Sequence, residues 1–151
     1  MSVNKSVGAI LYLNNKFLVQ KRSNKKNIYF PNLYGLFGGG LNENEKFKNG
    51  VQRELYEELN LKLKINEIKY FLKISINSKH FKKYRSREYF SIKIKKKQIS
   101  SIKLKEGQSF QFLTINQIKK LNFVPWDLSA ILYFNNYILK NKSVKPKVYL
   151  K

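Results

Sequence analysis

The chain has 151 residues, of which 42% are hydrophobic, 15% aromatic and 26% charged, which predicts one globular domain over residues 1–151 and excludes wholesale disorder. It contains no cysteine, which excludes a disulfide scaffold, a thiol nucleophile and a thiolate metal site. No apolar run approaches the roughly 20 residues of a membrane span. Because the N-terminal residues lack a signal-peptide cleavage pattern, we expect a soluble, cytoplasmic protein with no membrane contact.

The net charge is the most extreme feature of the composition. Thirty-one basic residues face nine acidic ones, for a formal charge of +22. Such an excess is typical of proteins that bind a polyanion such as RNA. However, 27 of the basic residues are lysine and only four are arginine, the residue that nucleic-acid sites favour for bidentate contacts. RNA binding and A/T-rich codon bias therefore remain alternative explanations of the charge.

Apolar and polar residues alternate in several segments. This alternation predicts strands over 68–76 and 89–94, while short apolar runs predict strands over 7–13 and 17–21, and a further strand is expected over 109–113. Asn14 and Asn15 would join the first two strands as a hairpin. After the run of three glycines at 38–40, apolar residues at helical spacing predict a helix over 47–59, with Asn60 as its left-handed C-terminal cap.

Two helices are predicted in the C-terminal third. We expect residues 95–106 to be mostly irregular, and Thr114 to cap a short helix that ends at residue 121. Asp127, which follows a proline, is predicted to cap a last helix ending near residue 140. The basic tail from about residue 141 is expected to be frayed. Together these elements predict an α+β fold.

Five of the nine acidic residues fall between Glu43 and Glu58. Within the predicted helix, Glu54, Glu57 and Glu58 stand at i, i+3 and i+4, which places three carboxylates on one face beside the apolar one. Like charges at this spacing repel each other, and partial burial strengthens the repulsion. Because Mg²⁺ and Mn²⁺ prefer oxygen ligands, the cluster predicts a divalent metal site of the kind that acts on phosphates.

The segment from Gly39 to Leu61 resembles the Nudix box, G-x5-E-x7-R-E-U-x-E-E-x-G-U, in which U is a bulky aliphatic residue. The matching positions are Gly39, Glu45, Arg53, Glu54, Leu55, Glu57, Glu58 and Leu61. Asn60 stands where the family has glycine, and asparagine also tolerates the left-handed conformation. Ahead of the box, Phe37 replaces a common proline. The opening strands and the closing helix are placed as in MutT-like members.

The resemblance implies a Nudix-type α/β/α sandwich, with a mixed sheet between helices. It also implies hydrolysis of a diphosphate linkage in a nucleoside diphosphate derivative by water that Mg²⁺ or Mn²⁺ activates. The substrate stays open between a damaged or ordinary nucleoside triphosphate and a nucleotide sugar. Two alternatives are pyrophosphohydrolysis of RNA 5′ ends and a non-catalytic module that binds nucleotide or RNA. A homodimer is expected because family members often dimerise.

The resemblance also implies roles for the motif residues. Glu57, Glu58 and the backbone carbonyl of Gly38 correspond to metal ligands, and Glu54 corresponds to a further ligand or to the base that activates water. Glu106, in the later segment Lys105-Glu106-Gly107-Gln108, resembles the carboxylate that a second loop supplies to the metal, the alternative being an ordinary loop residue.

The remaining motif residues correspond to supporting positions. Arg53 is implied as a catalytic residue that orients the carboxylates, whereas Gly39 and Glu45 are structural.

Other side chains are candidates for substrate contacts. Arg22 lies at the end of the second predicted strand and could reach phosphates, the alternative being a solvated strand end. Arg85 and Arg87 flank a strand start and are weaker candidates for the same role. Three aromatic residues could stack on a nucleobase, although aromatics in such places more often belong to the core: Tyr34, Phe37 and Trp126. His80, the only histidine, is expected to be a loop residue.

Overall fold

A computed structural model describes residues 4–77 and 84–140. Its centre is a six-stranded mixed sheet with the path β3-β2-β1-β5-β4, and β6 also pairs with β2. The strands are β1 (Asn4–Leu13), β2 (Lys16–Lys21), β3 (Tyr34–Gly35), β4 (Lys69–Ile76), β5 (Arg85–Lys93) and β6 (Ser109–Thr114). The pair β1–β5 is parallel and the other pairs are antiparallel.

Helices lie on both faces of the sheet. They are α1 (Phe47–Leu59), α2 (Lys96–Ile99), α3 (Ile115–Ile118) and α4 (Pro125–Tyr133), which continues as a π-helical segment (Phe134–Leu139). Alternate residues of β1 face opposite sides, so Ala9 and Leu11 pack in the core under α1 while Ile10 packs in the core under α4. The predicted sandwich of a mixed sheet between helices is therefore confirmed.

Local signals explain the hairpin and the boundaries of α1. Asn14 adopts the left-handed conformation, with φ of 54°, in the two-residue turn between β1 and β2, as predicted. Asn60 ends α1 with φ of 55°, and the Leu61 amide donates to the Leu55 carbonyl at 3.2 Å, which closes the last turn. Both asparagines adopt the left-handed conformation that glycine commonly adopts at such positions.

One of the predictions about the C-terminal third is wrong and another is confirmed. Asp127 does not cap the last helix, because α4 begins at Pro125 and Asp127 lies buried in its first turn, where its carboxylate accepts a hydrogen bond from the Leu36 amide. Residues 95–106 are mostly irregular, as predicted, apart from Lys96–Ile99, which forms one helical turn in which the Gln98 side chain accepts from the Lys95 amide. The partner of Asp127 in its hydrogen bond is Leu36, which is distant in the chain, so the local sequence around Asp127 could not indicate this contact.

Tertiary pairing also extends elements beyond their predicted bounds. β5 begins at Arg85 rather than at residue 89, because its polar first half pairs in parallel with β1 from Asn4 onwards. The two-residue strand β3 was not predicted, and the short helix α3 ends at Ile118 rather than at residue 121.

His80 and the tail from residue 141 lie outside the described residues. Across residues 4–77 and 84–140, no helix is long and apolar enough to cross a membrane.

Candidate active site

A glycine-rich loop connects β3 to α1 and lies against β1. The amides of Ala9 and Val7 donate to the carbonyls of Phe37 and Gly39, each at 2.9 Å. Gly38 between them has φ of +132°, and a Cβ there would collide with the Val7 carbonyl. The loop therefore needs glycine at this position, because another residue would be both strained and in contact with the β1 backbone.

Gly39 allows α1 to approach this loop closely. A Cβ on Gly39 would lie 2.6 Å from Oε1 of Glu54, a distance that Cβ atoms do not tolerate. The absence of a side chain at Gly39 thus leaves the space that the Glu54 carboxylate occupies.

Arg53 joins the carboxylates of the motif. Its Nε and Nη2 atoms donate to Oε1 and Oε2 of Glu45 at 2.8 and 2.9 Å, a bidentate pair. Its Nη1 atom donates to Glu54 at 2.8 Å and to Glu57 at 3.1 Å, and Nη2 also donates to the Gly40 carbonyl at 2.9 Å. The hydrogen bond to Glu45 makes the largest contribution to raising the pKa of Arg53, and in return Arg53 lowers the pKa of Glu45.

Glu58 is the most buried carboxylate of the motif. Its side chain accepts a hydrogen bond from the Gly38 amide at 2.9 Å. Burial raises the pKa of Glu58 to about 8, against the opposing effect of that hydrogen bond, and the charges of Glu54 and Glu106 add to the increase. Burial also raises the pKa of Glu54, although its bond to Arg53 opposes this.

Glu54, Glu58 and Glu106 line one cavity of about 230 Å³, which we call the carboxylate cavity. Gly38, Gly39 and Arg22 also line it. Glu106 reaches it from the loop before β6, which is anchored by the Gln108 amide donating to the Lys21 carbonyl at 2.9 Å. Glu57 differs from the other motif carboxylates, because it is 52% exposed and bonded to Arg53 outside this cavity.

The donor set of the carboxylate cavity fits a hard divalent cation. Three carboxylates face one space, and their negative charges repel each other. A cation that prefers oxygen ligands would relieve this repulsion. Within the described part of the chain, however, no three His, Cys, Asp or Glu side chains are already gathered tightly enough to hold a metal. The reason is local: Arg53 holds Glu54 and Glu57, while the Gly38 amide holds Glu58.

A second cavity of about 300 Å³ adjoins the first, and we call it the arginine cavity. It shares Gly38, Gly39 and Arg22 with the carboxylate cavity. Its remaining principal lining residues are Arg85, Arg87, Tyr29, Phe30, Trp126 and Asp127. The Phe30 and Trp126 rings meet edge to face, with centroids 5.0 Å apart. Of the predicted substrate contacts, the structure thus brings together the three arginines and Trp126.

Two predicted stacking residues lie elsewhere. Phe37 is fully buried in the core under α1, which confirms the core position that was favoured for it over stacking on a base. Tyr34 packs against the core under α4, and its backbone exchanges hydrogen bonds with Asn122 and Val124. Neither Tyr34 nor Phe37 lines the carboxylate cavity or the arginine cavity.

Asp127 lines the arginine cavity, and sequence reasoning missed its contacts. Its Oδ1 atom accepts from the Tyr89 hydroxyl at 2.7 Å and from Arg87 Nε at 3.1 Å, and its Oδ2 atom accepts from the Leu36 amide at 2.9 Å. Burial and the nearby charge of Asp127 raise the pKa of Tyr89. The available signal was an acidic residue among apolar neighbours at a helix start, because such a residue is rarely left unpaired in a core.

Comparison with known proteins agrees with this geometry. The NUDIX domain model matches residues 3–134. An 8-oxo-dGTP diphosphatase from Buchnera aphidicola subsp. Schizaphis graminum (strain Sg) is 30% identical over 131 residues, which cover 83% of this chain and 92% of that protein.

Solved structures show the same fold at low identity. The MutT protein from Methanosarcina mazei Go1 has a TM-score of 0.75 at 19% identity, covering 91% of this chain and 96% of that one. A MutT NUDIX hydrolase from Burkholderia pseudomallei has a TM-score of 0.74 at 15% identity, covering 87% and 98%. The chain therefore belongs to the Nudix family, as a pyrophosphohydrolase of nucleoside diphosphate derivatives, in a family whose members generally use divalent metal ions.

Proposed function

We propose that this protein is a Mg²⁺- or Mn²⁺-dependent hydrolase that cleaves the diphosphate linkage of a small nucleotide. The observation that carries this proposal is the convergence of Glu54, Glu58 and Glu106 on one cavity that opens beside an arginine-lined and aromatic one. Acidic ligands for a metal and basic contacts for phosphates are thereby adjacent. Residues 1–151 are proposed to form a single domain, since one sheet carries all six described strands.

The residues proposed to hold the metal are Gly38 through its carbonyl, and Glu54, Glu57, Glu58 and Glu106. When bound, such a metal polarises phosphoryl oxygens and lowers the pKa of an attacking water. Glu57 would have to exchange its bond with Arg53 for this role, because it is bonded to Arg53 and does not line the cavity. The proposal thus separates Glu57, which must turn inwards, from Glu54, Glu58 and Glu106, which already line the site.

The chain's own groups supply the proton acceptor and its orientation. Glu54 is the proposed base, because it lines the cavity and burial raises its pKa towards the range useful for accepting a proton. Arg53 holds the Glu54 carboxylate in one orientation, and Glu45 fixes Arg53 by two hydrogen bonds. Arg22, which lines both cavities, is the proposed contact for the substrate phosphates.

The proposed substrate is a nucleoside triphosphate, with oxidised guanine nucleotides as the first to test. The relative that covers most of this chain carries the name 8-oxo-dGTP diphosphatase, which supports this choice. Nucleotide sugars and triphosphorylated RNA are the competing substrates, because both contain the same diphosphate bridge.

The test measures product release by the full chain with Mg²⁺, with Mn²⁺ and with a chelator, across these three substrate classes. Glu58→Gln keeps the shape of the side chain but removes its charge, and we expect it to lower kcat by about 10²- to 10⁴-fold. Glu43→Gln is the matched control, since Glu43 is exposed in the same acidic segment and lines neither of the two cavities.

Metal-dependent turnover that Glu58→Gln removes and Glu43→Gln retains would support the proposal. Full turnover in the chelator, or in Glu58→Gln, would contradict it. Nucleotide binding without turnover of any substrate would favour the non-catalytic binding module instead.

A further inference from the structure

The arginines of this chain are concentrated in one place. The sequence contains 27 lysines and four arginines, and three of the four, Arg22, Arg85 and Arg87, line the arginine cavity. None of the lysines in the described ranges lines it. A compositional drift towards lysine would not by itself leave arginine at three positions of one cavity, so the guanidinium group is what this cavity requires.

Neighbouring groups hold the three guanidinium groups in position. Arg22 donates through Nε and Nη2 to the Tyr29 carbonyl at 3.2 and 2.9 Å. The Arg85 guanidinium carbon lies 4.1 Å from the centroid of the Tyr29 ring. Arg87 donates through Nε to Asp127 at 3.1 Å, and its guanidinium carbon lies 5.5 Å from the centroid of the Tyr89 ring. The cavity is therefore preorganised, because little side-chain freedom remains to be lost when a ligand binds.

The charge of the cavity is strongly positive. Its three guanidinium groups face one carboxylate, Asp127, which already accepts bonds from the Leu36 amide and the Tyr89 hydroxyl. The positive charge of Arg87 acts to lower the pKa of Arg22, behind the larger effect of burial, so these charges are close enough to repel. The cavity consequently offers hydrogen-bond donors and an excess of positive charge.

An anionic group satisfies such a cavity better than a base edge. A guanine edge would pair with one guanidinium through two acceptors and leave the repulsion among the others. A phosphate group offers several charged oxygens in a geometry that matches the planar fork of arginine, and its charge offsets the repulsion.

The position of the cavity determines which phosphate this would be. The carboxylate cavity, where we place the scissile diphosphate, meets the arginine cavity at Arg22 and Gly38. The rings of Phe30 and Trp126 line the arginine cavity beside Tyr29, whose ring Arg85 covers, and aromatic rings are surfaces on which a base can stack. With the diphosphate at the carboxylates and the base on these rings, a phosphate bound by the arginines would be carried on the ribose that joins them.

We propose that the arginine cavity binds a phosphate carried on the ribose of the substrate nucleotide, separate from the diphosphate that is cleaved. This assignment rests on the proposed function, because the proposed function places the diphosphate at the carboxylates. Two sources carry this chemistry: a free nucleotide with a 2′- or 3′-phosphate, and the 5′ end of RNA, whose first ribose carries a 3′-phosphodiester.

The first test measures equilibrium binding by calorimetry with the full chain. AMP is compared with adenosine 2′,5′-bisphosphate, adenosine 3′,5′-bisphosphate and the dinucleotide pApA. None of these contains a diphosphate bridge, so the result does not depend on turnover. We expect at least one ribose-phosphorylated ligand to bind about tenfold or more tightly than AMP. Tight binding of pApA identifies an RNA 5′ end, whereas tight binding of a bisphosphate alone identifies a free nucleotide.

Variants then test the arginines themselves. Arg85→Gln removes one guanidinium, and Arg87→Lys keeps the charge but removes the planar fork. Both are expected to reduce the preference over AMP towards unity. Lys97→Gln is the control for net charge, because Lys97 is exposed on α2, and we expect it to retain the preference.

Three outcomes would overturn the proposal: equal affinity for AMP and all three ribose-phosphorylated ligands, an unchanged preference in both arginine variants, or tighter binding of GMP than AMP with no effect of ribose phosphate. Failure of turnover together with a retained ribose-phosphate preference would reject the proposed function and leave in place only the binding of a ribose phosphate by the arginine cavity. Turnover without any preference for ribose-phosphorylated ligands would reject the cavity assignment alone.

Discussion

At the scale of single residues, Arg53 determines how the charged side chains of α1 are arranged. One guanidinium contacts three carboxylates and one carbonyl, so residues that would otherwise repel are held in fixed positions. Glu45 receives the bidentate contact, and Glu58 lies beyond the reach of these bonds, held instead by the Gly38 amide. The four carboxylates of the motif therefore have different environments although they lie close together in sequence.

Glu45 provides a prediction about the pH dependence of stability. Its bond to Arg53 lowers its pKa in the folded state below the unfolded value of about 4.3. Its contribution to stability is therefore complete above that value and is lost as the pH falls through the lower, folded pKa. We expect the difference in the free energy of unfolding between the native chain and Glu45→Gln to shrink between about pH 5 and pH 3.

Denaturant unfolding at a series of pH values measures this difference. A difference that is constant over that range, or that grows as the pH falls, would contradict the prediction.

At the scale of elements, the loop from β3 to α1 depends on a few backbone conformations. The backbone of this loop forms hydrogen bonds with β1, and its Gly39 leaves room for the Glu54 carboxylate. The C-terminal end of α1 depends in the same way on one left-handed residue, Asn60. Such positions tolerate few residue types, so substitutions there affect stability through the backbone rather than through lost side-chain contacts.

Gly38 and Gly40 lie in the same loop, so alanine substitutions at the two positions can be compared directly. Gly38→Ala places a Cβ against the Val7 backbone at a φ of +132°, whereas a Cβ on Gly40 meets nothing within 4 Å. We expect Gly38→Ala to lower the free energy of unfolding by about 3 kcal/mol or more, and Gly40→Ala to change it by about 0.5 kcal/mol or less. Urea titration of both variants measures this, and equal losses would be inconsistent with the loop geometry.

Asn60 is the second element-scale prediction. Its φ of 55° is left-handed, which alanine adopts at a cost of about 1–2 kcal/mol. We therefore expect Asn60→Ala to lower the midpoint of thermal unfolding and Asn60→Gly, which restores the usual residue of the family, to leave it equal or higher. If Asn60→Ala proved as stable as Asn60→Gly, the capping argument would not hold.

At the scale of the whole molecule, Asp127 connects parts of the fold that are far apart in the chain. It lies on α4 and binds the Leu36 amide just after β3 and the Arg87 and Tyr89 side chains on β5. Its side chain is only 2% exposed, as is appropriate for a carboxylate with several donors. Of the elements that Asp127 joins, β5 and α4 each supply lining residues of the arginine cavity, among them Arg87 and Asp127 itself.

Removing Asp127 leaves the positive charge of Arg87 in a buried position without a partner. We expect Asp127→Ala to lower the free energy of unfolding by about 3–5 kcal/mol. Adding Arg87→Met should recover part of this loss, because the unpaired charge is then absent. Denaturant titrations of the two single variants and the double variant measure the coupling, and fully additive losses would argue against the ion pair.

Much of the fold and of the site could be predicted from local sequence. The helix over 47–59, the asparagine cap and the hairpin turn depend on periodicity and on backbone preferences of a few residues, which act over short distances. The spacing of Gly39, Glu45, Arg53 and the later glutamates likewise indicated the family, because these residues lie on one loop and one helix.

Pairing between distant segments decided the rest. The parallel alignment of β5 with β1 extended a strand into polar residues, and this extended strand carries Arg85 and Arg87 to the cavity beside α4. Asp127 was misassigned as a cap because its partners come from β5 and from Leu36, outside its local sequence.

The sequence by itself determined the identity of the charged groups, the helix that carries them and the family to which they belong. Only the tertiary structure determined that Glu58 is buried while Glu57 is exposed, and that Glu106 faces Glu54. It alone gathered three arginines into one cavity. The physical reason is that conformational preference is a local property of the chain, whereas burial and electrostatic environment depend on which distant segments pack around a residue.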